Sequence, residues 1–206
     1  MSIPKIIHYC WFGGGPISAE SQKCMENWKK YCPDYKIIEW NDQNFDISQN
    51  RYAQQAYEAK KYAFVSDYVR LAVLYEYGGI YLDTDVELVR PLDELLEHKG
   101  FIGMEHSAPS PYGRTLLVNT GSGVGAEPGC EMIGKMLAGY RNASFLQETG
   151  EPDLRTCTQR DTPLFTKAGL QQKNEQQELD GFLVLPTDCF SPFDYVTERM
   201  HRTERT

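Results

Sequence analysis

Residues 62–85 restrict the fold more than any other stretch of the chain. Phe64, Val65, Tyr68, Leu71, Ala72, Leu74 and Tyr75 recur at helical spacing, and Gly78-Gly79 supply a stop. The spacing predicts a mostly buried helix over 62–77. Ile80-Tyr81-Leu82 follows at once as a strand carrying Asp83-Thr84-Asp85, predicted to run on to Val89 and end before Pro91. An apolar helix turned directly into an apolar strand belongs to a layered α/β domain, and here it leaves two carboxylates near a strand end.

The rest of the chain agrees with that class. Residues 3–12 read as a strand broken by Gly13-Gly14-Gly15-Pro16, and 18–31 as a helix with Ser18 or Ser21 as its cap and Pro33 beyond its end. A strand over 35–40 and a helix over 51–61 come next. Strands over 101–105, 116–119, 123–126 and 182–185 alternate with helices over 92–98, 130–140 and 162–170, while 171–178 is a polar excursion. Strands and helices in alternation predict an α/β fold, a mainly parallel mixed sheet flanked by helices. At 206 residues one domain is expected, residues 1–206.

Lys and Arg number 21 against 29 Asp and Glu, a net charge of -8. That is the wrong sign for the phosphate backbone of a nucleic acid. No apolar run reaches the roughly 18 residues of a membrane span, and the N-terminus lacks a secretory leader, so a cytoplasmic chain is expected. The six cysteines include no C-x2-C pair and read as reduced, mostly buried thiols. Thirteen tyrosines, nine phenylalanines and three tryptophans suit packing against flat polar ligands as well as an ordinary core.

Asp83 and Asp85, two apart on a strand, would project from one face with Cα atoms about 7 Å apart. Two carboxylates with room left for water and phosphate oxygens are a normal seat for Mg2+ or Mn2+. Asp67 and Arg70, at i and i+3, share one face of an otherwise apolar helix. They are either a buried salt bridge or a ligand pair, the Asp for sugar hydroxyls and the Arg for phosphate or carboxylate. Trp11, ending the first strand, is either core or a stacking platform. His8 reads as a packed or hydrogen-bonded core group. Asp161 either caps the helix over 162–170 or presents a carboxylate to an acceptor. The glycines at 13–15 lack the G-x-G-x-x-G spacing and read as a flexible turn.

Ser66-Asp67-Tyr68-Val69-Arg70 and Leu74-Tyr75-Glu76-Tyr77-Gly78-Gly79-Ile80-Tyr81-Leu82-Asp83-Thr84-Asp85 together resemble the signature of glycosyltransferases whose sugar-binding region contains a DXD motif. Ile3 to Gly14 matches that family's first strand, and the resemblance is strong over residues 1–90 and weaker beyond. It implies a GT-A fold, Rossmann-like in its nucleotide-binding sheet, with 1–90 as the nucleotide-sugar half and 91–206 as the acceptor half. The implied activity is retaining transfer from a nucleoside-diphosphate sugar, a UDP-sugar first among them, with Mn2+ or Mg2+. The implied acceptor is a glycan or lipid-linked glycan in bacterial capsular or other surface polysaccharide synthesis, at the inner face of the cytoplasmic membrane with peripheral association.

By the same resemblance, Trp11 would lie against the base and Tyr81 would line the nucleotide pocket. Asp67 and Arg70 would contact the donor sugar. Asp83 would meet ribose or sugar hydroxyls and reach the metal through water, and Asp85 would bind it directly. Asn119 and Asp161 would stand on the acceptor side. Relatives carry a closing C-terminal segment with His and Trp, which the sequence through His201 to Thr206 does not match, so a truncated or open site is expected. A sugar-nucleotide hydrolase and a non-catalytic nucleotide-sugar or glycan-binding subunit are the alternatives.

Overall fold

The computed structural model describes residues 2–206. A seven-stranded mixed sheet is built from β1 (Ile6–Cys10), β2 (Lys36–Trp40), β3 (Gly79–Tyr81), β4 (Gly100–His106), β5 (Leu116–Ala126), β6 (Gln177–Leu179) and β7 (Phe182–Leu185), in the order β2-β1-β3-β5-β4-β7-β6. β2, β1 and β3 are mutually parallel, as are β4 and β7, whereas β5 runs antiparallel to both β3 and β4 and β6 is antiparallel to β7.

Helices cover both faces. Alternation along the strands sends Ile7, Ile80, Leu82 and Phe101 to a core closed by Trp28 of α1 (Ala19–Tyr31). The opposite set, including Tyr81, Ile102 and Val118, packs against α2 (Arg51–Glu58), α3 (Tyr62–Tyr77), α4 (Glu131–Arg141) and α5 (Cys157–Lys167). The short helix α6 (Thr187–Phe190) and a small hairpin, β8 (Phe193–Asp194) with β9 (Arg199–Met200), complete the chain. Among the described residues no helix is long and apolar enough to cross a membrane.

α3 has the predicted bounds, and its turn into β3 needs glycine. Gly79 has φ +105°, and a Cβ there would lie 2.8 Å from Ile6 O and 2.9 Å from His8 Nε2. The helix therefore returns onto the sheet with its buried face, Val65, Asp67, Val69, Arg70, Leu71, Val73 and Leu74, sealed beneath its neighbours.

Four expectations are corrected. β3 stops at Tyr81: Val86 N–H bonds Asp83 O at 3.0 Å, so Asp83 and Asp85 stand on a turn and not on one strand face. Trp28 Nε1 then donates to Val86 O at 2.7 Å, which holds Val86 against α1 without a strand partner. The helix expected over 92–98 is a single 3-10 turn, Asp93–Leu95. The two strands expected over 116–126 are one, β5, interrupted by a bulge. α5 begins at Cys157, where Thr156 and Gln159 form a capping box, so Asp161 lies inside the helix and caps nothing.

Candidate active site

The bulge and the turn build the site together. Gly103 of β4 faces Asn119 and Ile102 faces Val124, so Thr120 to Gly123 stand out from the ladder. Their small side chains let this loop lie against the Asp83 turn, and Asp83 N–H donates to Gly121 O at 3.0 Å. A Cβ on Gly121 would collide with Asp83 Oδ2 and lie 3.3 Å from Arg70 Nη1.

Arg70, its side chain 4% exposed, is the centre. Its Nη2 lies 3.2 Å from Asp67 Oδ1 and 3.4 Å from Asp83 Oδ1, Nη1 donates to Thr120 Oγ1 at 3.1 Å, and Nε donates to Ser66 O at 3.1 Å. The guanidinium sits 4.7 Å from the Tyr81 ring centroid, and Tyr81 donates its hydroxyl to Asp83 Oδ1 at 2.8 Å. Burial lifts the Asp67 carboxyl above its ordinary range, and Arg70 opposes that rise. Arg70 and Tyr81 thus hold Asp83 by Oδ1, while 40% of its side chain stays open.

Asp83 and the exposed Asp85 open on a cleft of about 840 Å³. Its walls include the 86–95 segment, Glu105 and Asn119 of the β4–β5 pair, and residues 189–196 with the C-terminal Arg202, Arg205 and Thr206. Residues near the C-terminus therefore contribute a wall. Arg205 Nη2 pairs with Asp188 at 2.8 Å, and Arg90 Nη1 donates to Glu204 O at 2.9 Å. Asn119 is fixed on both sides: Nδ2 donates to Glu105 Oε2 at 2.6 Å, and Oδ1 accepts from Gly121 N–H at 2.8 Å.

The predicted residues therefore divide. Asp67, Arg70, Tyr81 and Asp83 form one buried network; Asp83, Asp85 and Asn119 reach the cleft. Trp11 lies past the end of β1, on the same sheet edge that carries Asp83 past β3, but outside the cleft lining, with its Nε1 donating to Gly15 O at 2.6 Å. Asp161 is 2% exposed and, like the buried Asp67 and Arg70, lies outside that lining. From the sequence, Thr120 and Gly121 stand in a recognisable stretch but have no assigned role, and Glu105 is not singled out. The run Asn119-Thr120-Gly121-Ser122-Gly123, small and polar inside an apolar strand, is the signal of a bulge that could have located the first two.

No group of three or more His, Cys, Asp or Glu placed to hold a metal occurs among the described residues. Mg2+ or Mn2+ does not require one, since one or two carboxylates completed by water and substrate phosphate suffice. Asp83 and Asp85 beside an open cleft fit such a cation.

Residues 18–102 match the model of the family described as "Glycosyltransferase sugar-binding region containing DXD motif". Inositol phosphoceramide mannosyltransferase 3 of Schizosaccharomyces pombe is 34% identical over 127 residues, 56% of this chain and 33% of its own. Mannosyl phosphorylinositol ceramide synthase SUR1 of Saccharomyces cerevisiae is 32% identical over 111 residues, 48% of this chain and 27% of its own. The matched part of this chain thus corresponds to about a third of these relatives' length or less. The solved PaToxG Glycosyltransferase superposes with a TM-score of 0.58 at 25% identity, covering 81% of this chain and 68% of that one. The sheet order and the helices on both faces are those of a GT-A fold, and residues 18–102 are the part of the chain that matches the DXD-containing sugar-binding region of glycosyltransferases.

Proposed function

We propose that the chain transfers a hexose, with retention, from a nucleoside-diphosphate sugar to a hydroxyl of a glycan or lipid-linked glycan. One observation carries this reading: a buried Asp67–Arg70–Asp83 network whose free carboxylate edge joins Asp85 on the wall of a large cleft. A fully internal salt bridge would need no opening, and a solvated Asp-x-Asp would need no buried arginine. Two relatives with mannosyl in their names support a hexosyl donor.

Asp83 and Asp85 would hold Mn2+ or Mg2+, which when bound supplies positive charge beside the departing diphosphate. Arg70 adds a fixed cation behind them, and Tyr81 keeps Asp83 oriented toward the cleft. Asp67, buried and outside the cleft lining, steadies the Arg70 guanidinium behind the donor site. Trp11 offers a flat face for the base at the neighbouring strand end. Asn119, immobilised by Glu105, presents a polar edge beside Asp83.

Titration of UDP with Mn2+ into the parent chain and into Asp85→Asn tests the metal role. The expected result is at least a tenfold loss of affinity with little change in melting, because Asp85 is exposed on a turn; equal affinities would sink it. A second reading, hydrolysis of the sugar nucleotide, draws on Glu105, a carboxyl on the cleft wall that burial raises above its usual range. Nucleotide release with and without a glycan acceptor separates the readings. Transfer depends on the acceptor, hydrolysis proceeds without one, and a binding subunit releases nothing.

A further inference from the structure

Behind the Asp67–Arg70 pair, on the side away from the cleft, α2, α3, α4 and α5 enclose a second polar cluster. The Tyr52 and Tyr140 rings meet edge-on with centroids 5.0 Å apart, and the Arg160 guanidinium lies 4.9 Å from the first and 5.5 Å from the second. Four buried polar atoms here have no hydrogen-bond partner: Tyr52 Oη, Tyr140 Oη, Arg160 Nε and Asp161 Oδ2. Such atoms are rare singly, and four within one cluster call for an explanation.

We propose that Asp161 is a positioning residue for the Asp67–Arg70 pair, acting on it from α5. The proposal rests on the reading of the Asp67–Arg70–Asp83 network as the support of the donor site. Helix α5 already touches the pair, since Cys157, one turn before Asp161, accepts a long contact from Arg70 Nη1 at 3.9 Å. The count of charges shows what Asp161 must do. Arg70 is engaged by Asp67 and Asp83, and Arg160 by Asp153 at 2.8 Å. Asp161 has no ion pair among the described residues.

The charged and titratable groups near it are Asp67 and Arg70 from α3, Tyr140 from α4, and Cys157 and Arg160 from its own helix, with Tyr52 of α2 beyond Arg160. A buried carboxyl lacking a cation is cheapest when neutral. Burial first, and then repulsion from Asp67, raises Asp161 to about 7 against the pull of Arg70 and Arg160. Neutral Asp161 leaves Asp67 as the ionised partner of Arg70. Ionised, it sets two carboxylates in competition for Arg70 and draws the guanidinium from Asp83 and Thr120.

The test compares the parent chain with Asp161→Asn, which keeps the shape and removes the titration. Its first readout is melting without ligand from pH 5 to pH 8. A carboxyl whose folded pKa is raised gives stability that is lost as pH climbs from the unfolded value toward 7, so the parent should fall relative to the variant over that range. The second readout is affinity for UDP-glucose and GDP-mannose, each with Mn2+. For the parent it should weaken roughly tenfold between pH 6 and pH 8, and for Asp161→Asn by less than about twofold.

Parallel melting curves overturn the proposal. So does a melting gap that widens while both proteins keep the same donor pH profile, since Asp161 would then be structural only. A parent that binds neither donor at any pH overturns the glycosyltransferase reading instead, and the melting curves still decide whether Asp161 carries the coupled proton. Should Asp161→Asn fail to fold, Asp67→Asn takes its place: removing the repulsion should move the parent's loss of stability to lower pH, and an unmoved profile overturns the proposal.

Discussion

Two buried polar clusters hang on the same helix–strand unit, and they are finished differently. Around His8, fully buried in β1, Nε2 bonds Gly78 O at 2.8 Å while Trp40 Nε1 donates to Nδ1 at 3.0 Å. Both ring nitrogens are used, the proton must sit on Nε2, and no edge is left over. Around Arg70, one guanidinium faces two carboxylates, and one of these still opens on the cleft. A polar group whose capacity is exhausted inside the protein holds structure; one kept with spare capacity at a cavity is placed for a ligand.

The sharpest way to break this contrast is Arg70→Met. With the guanidinium gone, Asp67 and Asp83 lose their common cation while Asp67 stays buried, and truncating one partner of a buried ion pair costs about 3–5 kcal/mol. Urea unfolding should record that loss, and turnover should vanish even in the fraction that remains folded. Turnover per folded molecule at the parental level would make the Arg70 cluster as structural as the His8 one.

His8→Leu is the reciprocal change. It strands Gly78 O and the Trp40 indole N–H, at about 2–3 kcal/mol together. Because nothing in that cluster reaches the cleft, activity per folded molecule should stay near parental, and an activity loss exceeding the unfolded fraction would erase the distinction.

Gly121→Ala sharpens the comparison with less damage. The new methyl would press on Asp83 Oδ2, and relief by small shifts costs about 1–2 kcal/mol. Mn2+-dependent UDP affinity should fall by roughly an order of magnitude while uridine affinity hardly changes, because the clash is at the carboxylate turn. Equal losses for both ligands would place the damage elsewhere.

Where the sequence was legible, local chemistry and tertiary packing agree. α3 was readable residue for residue because its apolar spacing ends on two glycines that the α3–β3 turn requires, with φ +64° at Gly78 and +105° at Gly79. Asp67, Arg70 and Asp83 could be picked out because charge inside an apolar pattern demands a reason. Failures came where long-range bonds decide. Val86 and Leu88 alternate like a strand, yet Trp28, far away in sequence, takes the Val86 carbonyl. β6, Gln177–Leu179, is a polar edge strand that hydrophobic patterning misses, and it pairs with β7 at the end of the sheet. The start of α5 was hidden because Pro163, inside the helix, resembles a first-turn proline, while the Thr156–Gln159 box marks the true N-terminus. That shift of one turn and more decides whether Asp161 is a cap or a buried acid.

The smallest expected effect is a pH dependence, and it follows from the closed cluster. Burial pushes the His8 imidazole from its ordinary 6.5 down to about 4, because the apolar setting disfavours the cation more than the Gly78 carbonyl favours it. In the unfolded chain His8 takes a proton near pH 6.5, whereas folded it refuses one until about 4. The unfolded state then binds more protons, and the stability held above pH 6.5 is lost as pH falls toward 4. Between pH 7 and pH 5.5 that loss amounts to about 1 kcal/mol. Urea midpoints at those two pH values, for the parent and for His8→Gln, measure it. Glutamine can still donate to the Gly78 carbonyl but cannot titrate, so the parent should lose about 1 kcal/mol more than the variant. Asp161 titrates in the same window with the opposite sign, but it is present in both proteins and cancels in the difference. Identical acid losses would mean that His8 is already charged when folded, which two satisfied ring nitrogens, one of them accepting from an indole N–H, do not allow.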